Sequence, residues 1–199
     1  ATLTFATIDD GSSDNCGIDS TSVNGASQIN FTCANLGLHT ILVYVKDVNG
    51  NESTNSVNIF VADTISPQYI KTPFTAYLAP SSVAVSRANI LSNIAGGCTV
   101  PTLAITSDTV FTCADVASNP NYITFTLTSG LNVVTDSVAV TVLDTLNPTL
   151  SLKSDTVFLA GSSASLTFAN INNGSVDNCG IDSATVNGAN QISFTCAYL

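Results

Sequence analysis

The chain has 199 residues, 14 acidic against 4 basic, a net charge of −10 and 45% hydrophobic residues. That suffices for one large domain or two to three small ones, with apolar material for cores and few ion pairs. The acidic balance without a Lys/Arg cluster argues against a nucleic-acid partner. No run approaches 18 apolar residues and no basic-then-apolar leader opens the chain, so this segment offers no membrane span.

In chain order, the first feature is a repeat. Residues 1–36 lie on 164–199 without a gap, and 26 of the 36 positions are identical. "DGSSDNCGIDS" at 10–20 returns as "NGSVDNCGIDS" at 173–183. A strand follows near 40–46, with Ile41, Val43 and Val45 on one face. "DVNGNES" at 47–53 places Asn-Gly between two strands, a strong hairpin signal. The next strand, near 55–62, turns Val57, Ile59 and Val61 one way and Asn58 and Phe60 the other. "VADTISP" at 61–67 then matches "VLDTLNP" at 142–148, and "RANI" at 87–90 matches "FANI" at 168–171, both at an offset of 81.

The repeat is therefore about 81–82 residues, and the chain reads as modules 1–65, 66–146 and 147–199, of types A, B and A. Where its neighbours have DNCG, the middle copy has "GGCT". Its strands place Ile123, Phe125 and Leu127, then Val138, Val140 and Val142, at alternate positions. The third copy predicts strands near 149–159, 164–170, 182–187 and 191–196. Period-two alternation rich in Val, Ile and Thr, with turns every 8–12 residues and no capped helical period, predicts an all-β chain. The expected architecture is tandem immunoglobulin-like β-sandwich repeats in a rod or filament, since short Pro-containing linkers limit bending.

The six cysteines fall in pairs 17, 15 and 17 positions apart: Cys16/Cys33, Cys98/Cys113 and Cys179/Cys196. Bonding within each repeat is the simplest scheme that survives repetition, and such a loop stabilises its repeat by roughly 3 kcal/mol. Zinc is the rival ligand, but there is no CxxC and the single histidine, His39, is remote. Disulfides imply an oxidising, extracellular compartment.

"SSDNCGI", "FTCANLG", "VYVKDVNGN" and the closing "VADTISP" together resemble the hyalin-repeat type of immunoglobulin-fold module. In particular they resemble the tandem repeats of giant cell-surface adhesins of Bacteroidetes-type bacteria, exported by type IX secretion and serving gliding motility. The resemblance implies an adhesive or stalk segment without catalysis, whose partners are neighbouring repeats of the same chain or filament. Asp followed by Ser or Thr and a small or branched residue resembles the O-glycosylation acceptor of those bacteria. It points to Ser20, Thr64, Thr109, Ser137, Thr145, Thr156 and Ser183. The alternative is that Asp-Ser/Thr starts strands well, because Asp closes a turn on its own backbone.

Two polar clusters could hold calcium, the one cofactor the sequence raises. Asp9, Asp10 and Asp14 crowd one loop, and Asp47, Asn49 and Asn51 alternate like the opening of a calcium loop. The alternative is a tight Asn-Gly hairpin beside a solvated acidic loop, and the third repeat has Asn172 and Asn173 in place of Asp9 and Asp10. Asp63 and Asp144 at the linkers could contribute. No catalytic set stands out. A Ser-His-Asp arrangement would need His39, which reads as an exposed strand-end residue. Other readings are a polysaccharide-binding module, for which Tyr44, Phe60 or Tyr122 would form a platform, and an accessory sandwich of a secreted hydrolase. Residues 1–65 lack opening strands and 147–199 lack closing ones, so the expectation is that the 163-residue pair of repeats continues beyond both ends.

Overall fold

The computed structural model describes residues 1–198 and is built mostly of β-strands, with only single helical turns besides. The first repeat supplies β1 (Thr2–Thr4), β2 (Ile18–Val23), β3 (Gln28–Asn30), β4 (Gly37–Asp47) and β5 (Glu52–Val61). The middle repeat supplies β6 (Gln68–Lys71), β7 (Phe74–Tyr77), β8 (Ser82–Ala84), β9 (Leu91–Ala95), β10 (Thr102–Ile105), β11 (Val110–Thr112), β12 (Asn121–Ser129) and β13 (Asn132–Leu143). The third supplies β14 (Ser163–Thr167) and β15 (Gln191–Thr195).

The strand order explains where the cores lie. β2, β4 and β5 form one antiparallel sheet, and β1 pairs separately with β3. Leu3 and Ile29 from the β1–β3 pair meet Val23, Ile41, Val57 and Ile59 from the three-stranded sheet in one apolar cluster. Alternation along β4 and β5 thus puts the branched residues inside, while Phe60 on the opposite face stays 61% exposed. In the middle repeat β10, β12, β13 and β7 follow one another in a single sheet. β7 runs parallel to β13, with Val140 opposite Phe74 and Leu143 opposite Tyr77. Ile123, Phe125, Leu127, Val138, Val140 and Val142 are all buried, as their alternation requires.

The chain divides into two compact units that do not follow the sequence repeats. One comprises Ala1–Tyr69, Asn93–Ala104 and Thr126–Thr135; the other comprises Ile70–Ser92, Ile105–Phe125 and Asp136–Leu199.

Three expectations require correction. The strand expected over 164–170 ends at Thr167, where "FANI" forms a helical turn, α2 (Phe168–Ile171), as its counterpart "RANI" does in α1 (Arg87–Ile90). Each is started by a Ser or Thr whose N–H donates to the side chain three residues on, Ser86 to Asn89 and Thr167 to Asn170, both at 2.9 Å. A repeated short polar signal was sufficient where no long helical period existed. The run 182–187 is not a strand, because its counterpart β2 is held by β4 and these 199 residues contain no third-repeat counterpart of β4. The run 149–159 makes only isolated bridges, Thr149 with Val176 and Leu152 with Asn172. Packing is correspondingly open there: Leu78 of the middle repeat is 1% exposed, whereas its equivalent Leu159 is half-buried.

Candidate functional site: the joints between sequence repeats

The disulfides overturn the pairing expected from spacing. Cys33 bonds Cys98 and Cys113 bonds Cys179, with Cα–Cα distances of 5.0 and 5.2 Å, while Cys16 and Cys196 are free and exposed. Cys16 and Cys33 flank a turn and look like the feet of a hairpin. The two strands at that turn join different partners, however, β2 pairing with β4 and β3 with β1. Each bond instead takes the "FTCA" cysteine of one sequence repeat to the first cysteine of the next, over 65 or 66 positions, and each lies inside one compact unit.

Beside each bond stands the aspartate of the linker. Asp63 Oδ1 accepts from the Ile65 N–H at 3.0 Å, and Asp144 Oδ1 accepts from the Leu146 N–H at 3.1 Å, so both carboxylates close the linker turn. Both also receive the cysteine loop of the following repeat. The Cys98 N–H donates to Asp63 Oδ2 at 2.7 Å, and Asn178 Nδ2 donates to Asp144 Oδ1 at 3.0 Å. The backbone bonds from Cys98 and then Ile65 hold Asp63 below its ordinary carboxylate value, against a smaller opposing effect of burial. At the first joint Asn132 Nδ2 also donates to the Asp63 carbonyl at 2.8 Å, and the buried Ser129 hydroxyl donates to the Thr99 carbonyl at 3.0 Å.

Local sequence explains the two solutions. In "DNCG" the Asp177 side chain captures the Cys179 N–H at 2.9 Å, so Asn178 reaches the linker with its amide. In "GGCT" Gly96 stands where Asp177 does, and the Cys98 N–H goes to the linker directly. Gly97 is required there: a Cβ would sit 2.5 Å from Asp63 Oδ1 and 2.8 Å from Ile65 Cβ.

Of the calcium candidates, Asp9, Asp14, Asp47 and Asn51 make side-chain hydrogen bonds within their own loops. Asp47 is nearly buried; its Oδ1 accepts from the Asn49 and Asn51 N–H groups at 2.8 Å, and Oδ2 accepts from Asn51 Nδ2 at 2.7 Å. Those bonds, led by the Asn51 side chain, lower its pKa. Asp14 binds the Cys16 N–H at 2.8 Å, and Asp9, lowered chiefly by Ser12, binds the Ser12 N–H at 2.9 Å. Asp14, Asp47 and Asn51 line one open depression of about 330 Å³ with Glu52, while Asp9 and Asp10 line another. Among the described residues no three His, Cys, Asp or Glu side chains converge as metal ligands.

His39 lies within β4, half-buried rather than exposed, its Nε2 2.7 Å from the Asn35 carbonyl and its ring beside Phe31. Tyr44 faces Thr54 and Phe60 faces Leu38, so these aromatics sit at opposite ends of the β4–β5 hairpin. The Tyr44 phenol is pushed up to about 12, first by its hydrogen bond to Glu52. Tyr122 is 57% exposed on β12. Of the acceptor hydroxyls, those of Ser20, Thr64, Thr145, Thr156 and Ser183 belong to exposed residues, whereas Thr109 and Ser137 are half-buried. Asp63 and Asp144 each close a turn on the N–H two residues on, the role the acceptor motif competes with, while Asp136 and Asp155 bind the N–H of the next residue.

No protein-family model, curated protein or solved structure matches this chain. Among the described residues no helix is long and apolar enough to cross a membrane.

Proposed function

We propose that this chain is an extracellular structural segment of a bacterial surface adhesin, a stalk of immunoglobulin-like repeats that holds an adhesive region away from the cell. The observation that carries this reading is the covalent tie between consecutive repeats, Cys33–Cys98 and Cys113–Cys179. Under tension a disulfide there keeps the residues it encloses from extending. The linker aspartates add a fixed turn at the same places. The parallel pairing of β7 with β13, the second and last strands of the middle repeat, supports a sandwich that closes on itself. O-glycosylation at the exposed Thr64 and Thr145 fits this setting; intact mass from the native source matching the bare chain would remove it.

Force spectroscopy tests the stalk. Each bond should withhold about 230 Å of contour length, taking ~3.5 Å per extended residue, until a reductant is added. Equal extension of the oxidised and reduced chains would overturn the mechanical reading. Antibody labelling confined to permeabilised cells would overturn the location.

A further inference from the structure

The two unbonded cysteines are repeat equivalents of two bonded ones. Cys16 corresponds to Cys179 and Cys196 to Cys33 at the same offset of 163 that relates the two A repeats. Their backbone settings are equivalent as well. Asp14 Oδ1 accepts from the Cys16 N–H at 2.8 Å, and Asp177 Oδ1 from the Cys179 N–H at 2.9 Å. The next residue has a positive φ in both, +106° at Gly17 and +98° at Gly180.

The "FTCA" side is also prepared. Cys113 Sγ lies 3.9 Å from the Ser81 carbonyl oxygen, and Cys196 Sγ lies 3.9 Å from that of Ser162. The supporting strand pairs share a register, Ser82 opposite Thr112 and Ser163 opposite Thr195. What differs is cover: Asp177, Asn178 and Cys179 are half-buried, while Asp14, Asn15 and Cys16 are exposed. The same loop is docked in one copy and uncovered in the other.

We propose that Cys16 and Cys196 are half-joints, each forming a disulfide with another repeat of this kind placed head to tail. Cys196 takes the first cysteine of a following repeat, and Cys16 takes the "FTCA" cysteine of a preceding one. This rests on the joint reading above and adds its partner. In a preparation of this chain alone, a second copy supplies both, so Cys196 of one copy bonds Cys16 of the next. Two thiols lose two protons and two electrons as the S–S bond forms. A disulfide oxidant such as oxidised glutathione accepts them and is cleaved to two glutathione thiols.

The experiment is oxidation of the whole chain with oxidised glutathione, followed by thiol blocking, non-reducing electrophoresis and peptide mapping. The wild-type chain should give a ladder of covalent oligomers. Cys16→Ser and Cys196→Ser should each stay monomeric, and their mixture should give a dimer through one Cys196–Cys16 bond. Symmetric dimers of the single variants, bonds between Cys16 and Cys33 or between Cys179 and Cys196, or no oligomer at all would each overturn the proposal. Recovery of Cys33–Cys98 and Cys113–Cys179 shows that each variant has folded. If those bonds themselves are missing, the joint reading fails; if they are present without the intermolecular bond, only the half-joint proposal fails.

Discussion

At the first joint a glycine lets a backbone N–H reach the linker aspartate; at the second an asparagine reaches it with its side-chain amide. The bond topology is the same, yet the polar accounting differs. Asp63 uses both carboxylate oxygens within the protein, on Ile65 and Cys98. At the second joint Asp177 Oδ2 and Asn178 Oδ1 are shielded from solvent and have no hydrogen-bond partner in the protein. Buried polar atoms are nearly always paired, so the second joint is the less completely satisfied of the two. A repeat pair can thus diverge in its contacts while the covalent tie keeps the connection in place.

The largest way to break the comparison is to remove the ties themselves. Replacing both Cys33 and Cys98 by Ser should destabilise the compact unit that contains Ala1–Tyr69 by about 4 kcal/mol in the chain-entropy model, and the Cys113/Cys179 double variant should cost the other unit a similar amount. Native-state hydrogen exchange reads each unit separately, which a single melting curve of a two-unit chain cannot do. A difference between the two costs would show that the joints' contacts, and not the loops alone, set their strength.

Next in size is Gly97→Ala, which forces a methyl group against Asp63 and Ile65 and should cost about 1–3 kcal/mol as local overpacking. The exchange rate of the Cys98 amide is the readout, and an unchanged rate would show that the loop can shift freely. Asn178→Ala should cost only about 1 kcal/mol, because it removes the hydrogen bond to Asp144 and a weak one to Cys179 Sγ along with an unpaired oxygen. A cost for Asn178→Ala above that for Gly97→Ala would reverse the ranking of the joints.

The smallest effect is a titration. Asp63 has a folded-state pKa below its ordinary 3.8, so its contribution is fully present above that value and is lost as pH falls through the depressed one. The Cys98 amide resonance should move in that acidic window and become insensitive in Asp63→Asn. A midpoint at or above the ordinary value would contradict the hydrogen bonds assigned to this carboxylate.

Much of the molecule was legible in one dimension because its signals are local. Alternation identified the inward faces of β4, β5, β12 and β13, and Asn-Gly marked the hairpin at 47–51. Self-similarity gave the offset of 81, which aligns Asp63 with Asp144 and Cys98 with Cys179. Gly97 and Asn178 carried no signal of their own. Their roles appear only once the linker carboxylate of the preceding repeat lies against them.

The sequence by itself determined the alternating runs of β4, β5, β12 and β13, the repeat length and the number of cysteines, since residue chemistry and periodicity act over a few positions. Tertiary structure alone decided which cysteines meet. A disulfide depends on Cα atoms about 5 Å apart, and strand pairing brings together residues 65 and 66 positions distant while sending the strands beside Cys16 and Cys33 to different partners.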